Sequence, residues 1–218
     1  RRLETLPGLD RLQFITSHPT NIDEELMKTI AGHPVHSRYL HLPVQSGSDR
    51  MLRSMNRGHD VDSYRRCVEM IRRIEPGISM ATDWIVGYPG ETDEDFQDTV
   101  DLQREIGFQT SFVFKYSQRS GTRAARVEDS VPTEIKKERN QILLAQQAEI
   151  SEQLNLATRG KRFEVFVEGL SKKDHTRYFG RNNQNRIVVF PAGRDLTGRF
   201  AEVEIVDSTA LTLVGELV

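Results

Sequence analysis

Ser79–Phe96, SMATDWIVGYPGETDEDF, is the stretch whose reading decides the fold. Met80 to Tyr88 reads as a buried strand, Pro89-Gly90 as a tight turn, and Thr92 as the cap of a helix. Asp95 follows Thr92 at the spacing of a capping box, and Asp93 and Glu94 lie in the electropositive first turn. An apolar strand that runs through glycine into a capped helix is the core of an α/β unit, where ligands meet the strand C-termini. Asp83 breaks the apolar run. Alternation puts Asp83, Ile85 and Gly87 on one face of the strand and Thr82, Trp84, Val86 and Tyr88 on the other. A carboxylate placed there needs a partner or a ligand.

Working outward, similar units recur on both sides. Leu12 to His18 reads as a first strand, followed by a helix that Asn21 caps, with Ile22, Leu26 and Ile30 along one stripe. Tyr39 to Gln45 reads as a second strand, followed by SGSDRMLRSMNRG as a turn and short helix. Asp60 or Asp62 opens a longer helix to Ile74, stopped at Pro76-Gly77. After the central unit, whose helix stops at Gly107, Ser111 to Ser117 reads as a further strand. Strands alternating with helices imply a parallel sheet or part of a barrel. Chemistry in such a fold gathers at strand C-termini, here Thr16 and His18, Gln45 and Ser46, Asp83 and Gly87, then Lys115, Tyr116 and Ser117.

Pro132 opens the longest helix, closed by Gly160, with apolar Ile135, Ile142, Ile150, Leu154 and Ala157 at helical spacing. Beyond Lys161 the period becomes twofold. FEVFVEG, RIVVFP, RFAEVEIV and LTLVGELV read as short strands of a small β-barrel, which sets a domain boundary near Gly160. Between Lys172 and Arg186, five cations (Lys172, Lys173, Arg177, Arg181, Arg186) face one carboxylate, Asp174, with Phe179 and asparagines interleaved. Cations beside planar aromatic and amide groups suit phosphate contact and base stacking, so RNA is the expected partner. A solvated hairpin is the blander alternative.

The net charge of -2 favours no polyanion by itself. No apolar run is long enough to span a membrane, and the single Cys67 fits a reducing cytoplasm. Cys67 shares a helix face with Tyr64 and Ile71, as a structural thiol does. His33 and His36 flank Pro34 without a third ligand nearby, a poor metal site. The chain begins in mid-pattern at Arg1 and reads as a fragment.

FITSHP, HLPVQSGSDRML with MNRG, TDWIVGYPGETDEDF and FKYSQRSGT together resemble the radical S-adenosylmethionine methylthiotransferases. VEGLSKK, GRNNQNRIVVFP and GELV resemble their C-terminal TRAM module, an RNA-binding barrel. The SHP and HLPVQSGS segments are closer to the tRNA branch than to the sister branch acting on a ribosomal protein. The resemblance implies the C-terminal part of a partial (β/α) barrel over residues 1–158 and a TRAM barrel over 160–218. It implies methylthiolation at C2 of N6-isopentenyladenosine, position 37 of tRNA, through a 5′-deoxyadenosyl radical made from S-adenosylmethionine. Two [4Fe-4S] clusters serve such enzymes; their cysteine ligands are absent from this chain, which alone is expected to be inactive and to keep RNA affinity. By resemblance Gln45, Ser46, Gly47, Ile85 and Gly87 lie beside S-adenosylmethionine, and His18 and Asp83 face the same cavity. Lys172, Lys173, Arg181, Arg186 and Phe179 are the expected RNA contacts. The partners implied are tRNA and S-adenosylmethionine, in the cytoplasm; the sulfur and electron donors stay unassigned.

Overall fold

The computed structural model describes residues 3–14, 16–121 and 124–218. Its contacts divide into two compact units, one of residues 3–14, 29–39 and 148–218, the other of residues 16–28 and 40–147.

In the second unit the central stretch folds as its pattern dictates. Strand β2 (Ser79–Val86) lies between β1 (Tyr39–His41) and β3 (Thr110–Lys115) in a three-stranded sheet. β3 runs parallel to β2 from Ala81 opposite Thr110 to Val86 opposite Lys115. Helix α3 (Val61–Ile74) is capped by Asp60, and α4 (Asp93–Ile106) by Thr92 in a full capping box with Asp95. Gly107 ends α4 in the left-handed conformation, φ 64°, which costs glycine nothing. Fully buried Trp84, Tyr64, Phe108, Met51, Leu52 and Leu42 form the core beneath the sheet.

Several boundaries differ from expectation, among them β3, which runs from Thr110 to Lys115 and not from Ser111 to Ser117. β1 ends at His41 and not Gln45, because Pro43 offers no N–H and Thr82 Oγ1 accepts the Val44 N–H at 3.0 Å in place of a ladder partner. Pairing resumes where the Gln45 N–H meets the Asp83 carbonyl at 3.0 Å. β2 stops at Val86 because Gly87 takes φ 71° and sends its N–H to Glu91 Oε2 at 2.6 Å. No strand forms over the described residues of 12–18; Leu12 makes an isolated bridge to His36, and Ile15 lies outside the described residues. Helix α1 (Glu24–Gly32) starts later than Asn21, with Asp23 Oδ1 accepting the Leu26 N–H at 2.8 Å. Pro19–Asn21 form a 3-10 turn in front of it. A short helix α2 (Asp49–Ser54) follows N-cap Ser48.

Helix α5 (Thr133–Leu156) reverses the expected packing. Ile142 is 41% exposed, while Lys136, Arg139, Gln146, Gln147, Ser151 and Asn155 are buried along with Leu143. These positions recur at helical spacing, so the inward face is polar and is held by hydrogen bonds: Gln146 to the Val100 carbonyl at 2.9 Å, Gln147 to the Phe108 carbonyl at 2.8 Å.

In the first unit five strands close a barrel in the order β4-β5-β6-β8-β7. They are β4 (Arg162–Leu170), β5 (Arg177–Asn182), β6 (Ile187–Pro191), β7 (Phe200–Ser208) and β8 (Leu213–Leu217). β5 is an addition to the sequence reading; its glycine and charges mask the alternation. Inward Val165, Val167, Val188, Phe190, Val203, Ile205 and Leu213 fill the interior. Gly180 is required where β5 crosses β4, since a Cβ there would stand 2.1 Å from the Phe166 carbonyl oxygen. Residues from elsewhere in the unit complete it: the Arg11 guanidinium lies 5.0 Å over the Phe200 ring and donates to the Arg181 carbonyl at 2.8 Å.

Candidate functional site

A cavity of about 820 Å³ opens in the second unit. Its walls are Gln45, Asp83 and Ile85 from the sheet, Phe114 to Ser117 at the end of β3, Tyr88, and the segment Ser54–Arg57 after α2. That volume suits a nucleoside-sized ligand. The alternation expected for β2 holds: Asp83 and Ile85 are half-buried on the cavity side, and Trp84 and Val86 are buried behind. Asp83 Oδ1 is bonded to His41 Nε2 at 2.9 Å, and the His41 ring stands edge-on to Phe112, centroids 5.8 Å apart. The imidazole therefore fixes the carboxylate without removing its second oxygen from the cavity.

Arg57 adds a cation to the cavity wall. Burial lowers its pKa and the charge of Asp83 raises it back in part. Burial, followed by repulsion from His18 and Arg57, lowers the pKa of His59, which favours a neutral ring. Two wall residues are held at positive φ without being glycine, Gln45 at 80° and Asn56 at 57°. Such backbone is uncommon and gathers at ligand sites.

The sequence-derived residues part company here. Gln45, Asp83 and Ile85 come together on the cavity. Ser46 and Gly47 turn away toward α4: Ser46 Oγ lies 3.3 Å from Thr99 Oγ1, and a Cβ on Gly47 would meet the Asp98 carbonyl oxygen at 2.3 Å. Gly87 makes room for a side chain, since a Cβ there would stand 2.2 Å from Lys136 Cγ. His18, expected on the cavity, is not among its lining residues; its Nδ1 binds Thr20 Oγ1 at 2.8 Å as the cap of the 3-10 turn. Arg57, His41 and Phe114 were not singled out from sequence. The MNRG segment containing Arg57 was the available signal.

Of the expected RNA contacts, Lys172 and Lys173 are exposed and Phe179 is half-buried. Arg181 is paired with Glu168 at 3.2 Å. Arg186 is not on the exposed surface where the sequence put it. Its guanidinium turns inward to the Leu154 carbonyl at 3.1 Å and Asn155 Oδ1 at 3.3 Å, and burial brings its pKa down to about 10.

An iron–sulfur cluster needs several thiolates. Cys67 is the only cysteine of the chain, and burial pushes its thiol up to about 11. The residues present therefore do not fit a cluster, and among the described residues no group of His, Cys, Asp or Glu is arranged to hold a metal.

Residues 3–102 match the radical SAM superfamily model and residues 156–218 the TRAM domain model. The tRNA-2-methylthio-N(6)-dimethylallyladenosine synthase of Syntrophomonas wolfei is 40% identical over 216 residues, 99% of this chain and 48% of that protein. The synthase of the same name from Moorella thermoacetica is 43% identical over 217 residues, 100% of this chain and 49% of that one. Its counterpart in Chlorobium limicola is 45% identical over 206 residues, 94% of this chain and 47% of that one. The chain thus spans about half the length of the curated relatives it matches. Among solved structures, the radical SAM enzyme coproporphyrinogen III oxidase of Escherichia coli superposes with TM-score 0.51 at 19% identity, over 89% of this chain and 46% of that one. The fold is shared with that enzyme. Among the described residues no helix is long and apolar enough to cross a membrane.

Proposed function

We propose, for a chain that belongs to the radical SAM methylthiotransferase family, with the radical SAM match at residues 3–102 and a TRAM domain at 156–218, that it forms part of a tRNA methylthiotransferase. The whole protein would add a methylthio group to C2 of an N6-isopentenylated adenosine at tRNA position 37, in the cytoplasm. The observation that carries this reading is the cavity at the strand C-termini, where a half-buried acid, an amide and a cation converge. It lies within a chain about 40% identical to synthases of that name.

S-Adenosylmethionine, when bound, supplies the radical and methyl-transfer chemistry. Here Gln45, Asp83 and Ile85 would hold it, with Arg57 as the cation of the same wall. Its ammonium and ribose hydroxyl groups suit the open oxygen of Asp83 and the amide of Gln45, and its carboxylate suits a guanidinium. His41 keeps Asp83 in place, and Phe114 and Ile85 give the cavity apolar surface. Two [4Fe-4S] clusters belong to this proposal for the whole protein, on ligands that this chain does not contain. The barrel would add affinity for tRNA.

The test is S-adenosylmethionine binding by the intact protein, by calorimetry, with Asp83→Ala. Loss of a charged hydrogen bond of about 1.5–3 kcal/mol predicts roughly ten- to hundredfold weaker binding. A melting temperature near that of the wild type would show that the fold survives. Wild-type affinity in a folded Asp83→Ala protein would remove the cavity from cofactor binding.

A further inference from the structure

One end of the barrel is already in use within its own unit. The β5–β6 hairpin tip gives the Asn183 carbonyl to the Arg38 N–H at 2.7 Å and to Ser37 Oγ at 2.5 Å. Asn182 Oδ1 accepts the Gln184 and Arg186 N–H groups at 3.1 and 2.9 Å, and the Arg186 side chain is turned onto residues 154–155. The backbone of this tip and the side chains of Asn182 and Arg186 are therefore spent on structure.

The strand register assembles the opposite end. Leu170 pairs with Tyr178 and Arg177 with Pro191, so loop 171–176 and loop 192–199 leave the barrel side by side. The second loop returns along β4, with the Arg199 carbonyl accepting the Val167 N–H at 2.9 Å. Lys172, Lys173, Arg194 and Arg199 are all exposed there. None of the four side chains makes a hydrogen bond or ion pair with the described residues, although Arg199 acts on Asp195 through space. The two carboxylates nearby are occupied in closing the loops. Asp174 Oδ1 accepts the Thr176 N–H at 3.0 Å and its hydroxyl at 2.6 Å, and Asp195 Oδ1 accepts the Thr197 N–H at 2.9 Å. Beside these cations the wall keeps apolar surface in water: Leu170 is 47% and Phe166 36% exposed, the latter packed against Phe200 with centroids 5.3 Å apart.

Building on the RNA-binding role proposed for this barrel, we propose that tRNA phosphates are met by Lys172, Lys173, Arg194 and Arg199 on this two-loop end, not by the asparagine-rich hairpin tip. Uncommitted cations on loops beside exposed aliphatic and aromatic surface complement a polyanion with π-faces. Arg194 and Arg199 join the surface, and Arg186 leaves it.

The experiment measures tRNA affinity of the intact protein against salt for the wild type and two charge-matched variants. The first carries Lys172, Lys173, Arg194 and Arg199→Gln. The second carries Lys28, Arg65, Arg73 and Lys137→Gln, four cations, Arg65 half-buried and the others exposed, already in ion pairs with Glu24, Glu105 and Glu134. Each phosphate contact contributes about 0.7–0.9 to the slope of log K against log salt, so the first variant should lose roughly three units of slope and bind about tenfold or more weakly at low salt. The second should keep the wild-type slope. Equal losses in both variants would mean a generic charge effect and overturn the assignment, as would wild-type binding by the first. A wild-type protein that binds no tRNA would instead overturn the RNA-binding role itself.

Discussion

Asp95 gathers more hydrogen bonds than any carboxylate of the cavity. It accepts the Thr92 N–H at 2.9 Å and hydroxyl at 3.0 Å, the Ser48 hydroxyl at 2.5 Å, and the Arg50 guanidinium. Burial works against its charge, yet the bonds from Arg50, Ser48 and Thr92 outweigh burial and hold the pKa at about 2, below the usual 3.8. A carboxyl depressed in the folded state stabilises fully above its unfolded pKa, and that gain disappears as pH falls from about 4 to about 2. The amount is about 2 kcal/mol at neutral pH. Urea midpoints between pH 5 and pH 2 should therefore fall more steeply for the wild type than for Asp95→Asn; parallel curves would show that Asp95 carries no such linkage. The Thr92–Asp95 spacing was visible in the sequence, as was the polar break at Asp83, because each is a short-range pattern. The partners Ser48 and Arg50, and His41 beside Asp83, were not, since a tertiary pairing leaves no spacing to read.

Among elements, β2 and α4 were the most legible, the one as an apolar run that alternates from Asp83 and the other as a capped helix, each with a clear punctuation residue. Helix α5 was the least. Sequence periodicity assumes that apolar residues mark the buried face, and α5 buries amides and charges against carbonyls while Ile142 and Leu144 stay exposed. Its N-terminal half is fixed by charge. Arg139, 5% exposed, reaches Glu91 Oε2 and Asp93 Oδ1, each at 2.6 Å. Burial raises the pKa of Glu91, and the Gly87 N–H and Arg139 oppose that rise. Removing the cation leaves Glu91 buried and uncompensated, so Arg139→Ala should cost about 3–5 kcal/mol in chemical denaturation. Adding Glu91→Gln to it should recover part of the loss. A double variant no more stable than Arg139→Ala would place the cost in packing and not in the stranded charge.

At the scale of the whole chain, the change from helical to twofold period near Gly160 marked the start of the barrel, and the five strands close as one. The compact unit around it also takes in residues 3–14 and 29–39, which no period could announce because their links are made to backbone carbonyls. A protein cut to residues 148–218 loses the cation over Phe200 and the donors to Asn183. Its melting temperature should lie below that of the barrel in the full chain, by several degrees for each 1 kcal/mol lost from so small a domain. Equal melting would make those links dispensable.

The hairpin tip has one more bearing. Ser37 and Arg38 read Asn183 through its carbonyl oxygen alone, a group that every amino acid carries. Drift at position 183 is therefore unconstrained by chemistry, whereas the curve of the turn is not, and Asn185 maintains it at φ 61°. A barrel borrowed from a relative would be accepted here on the shape of that turn, with almost any spelling of it.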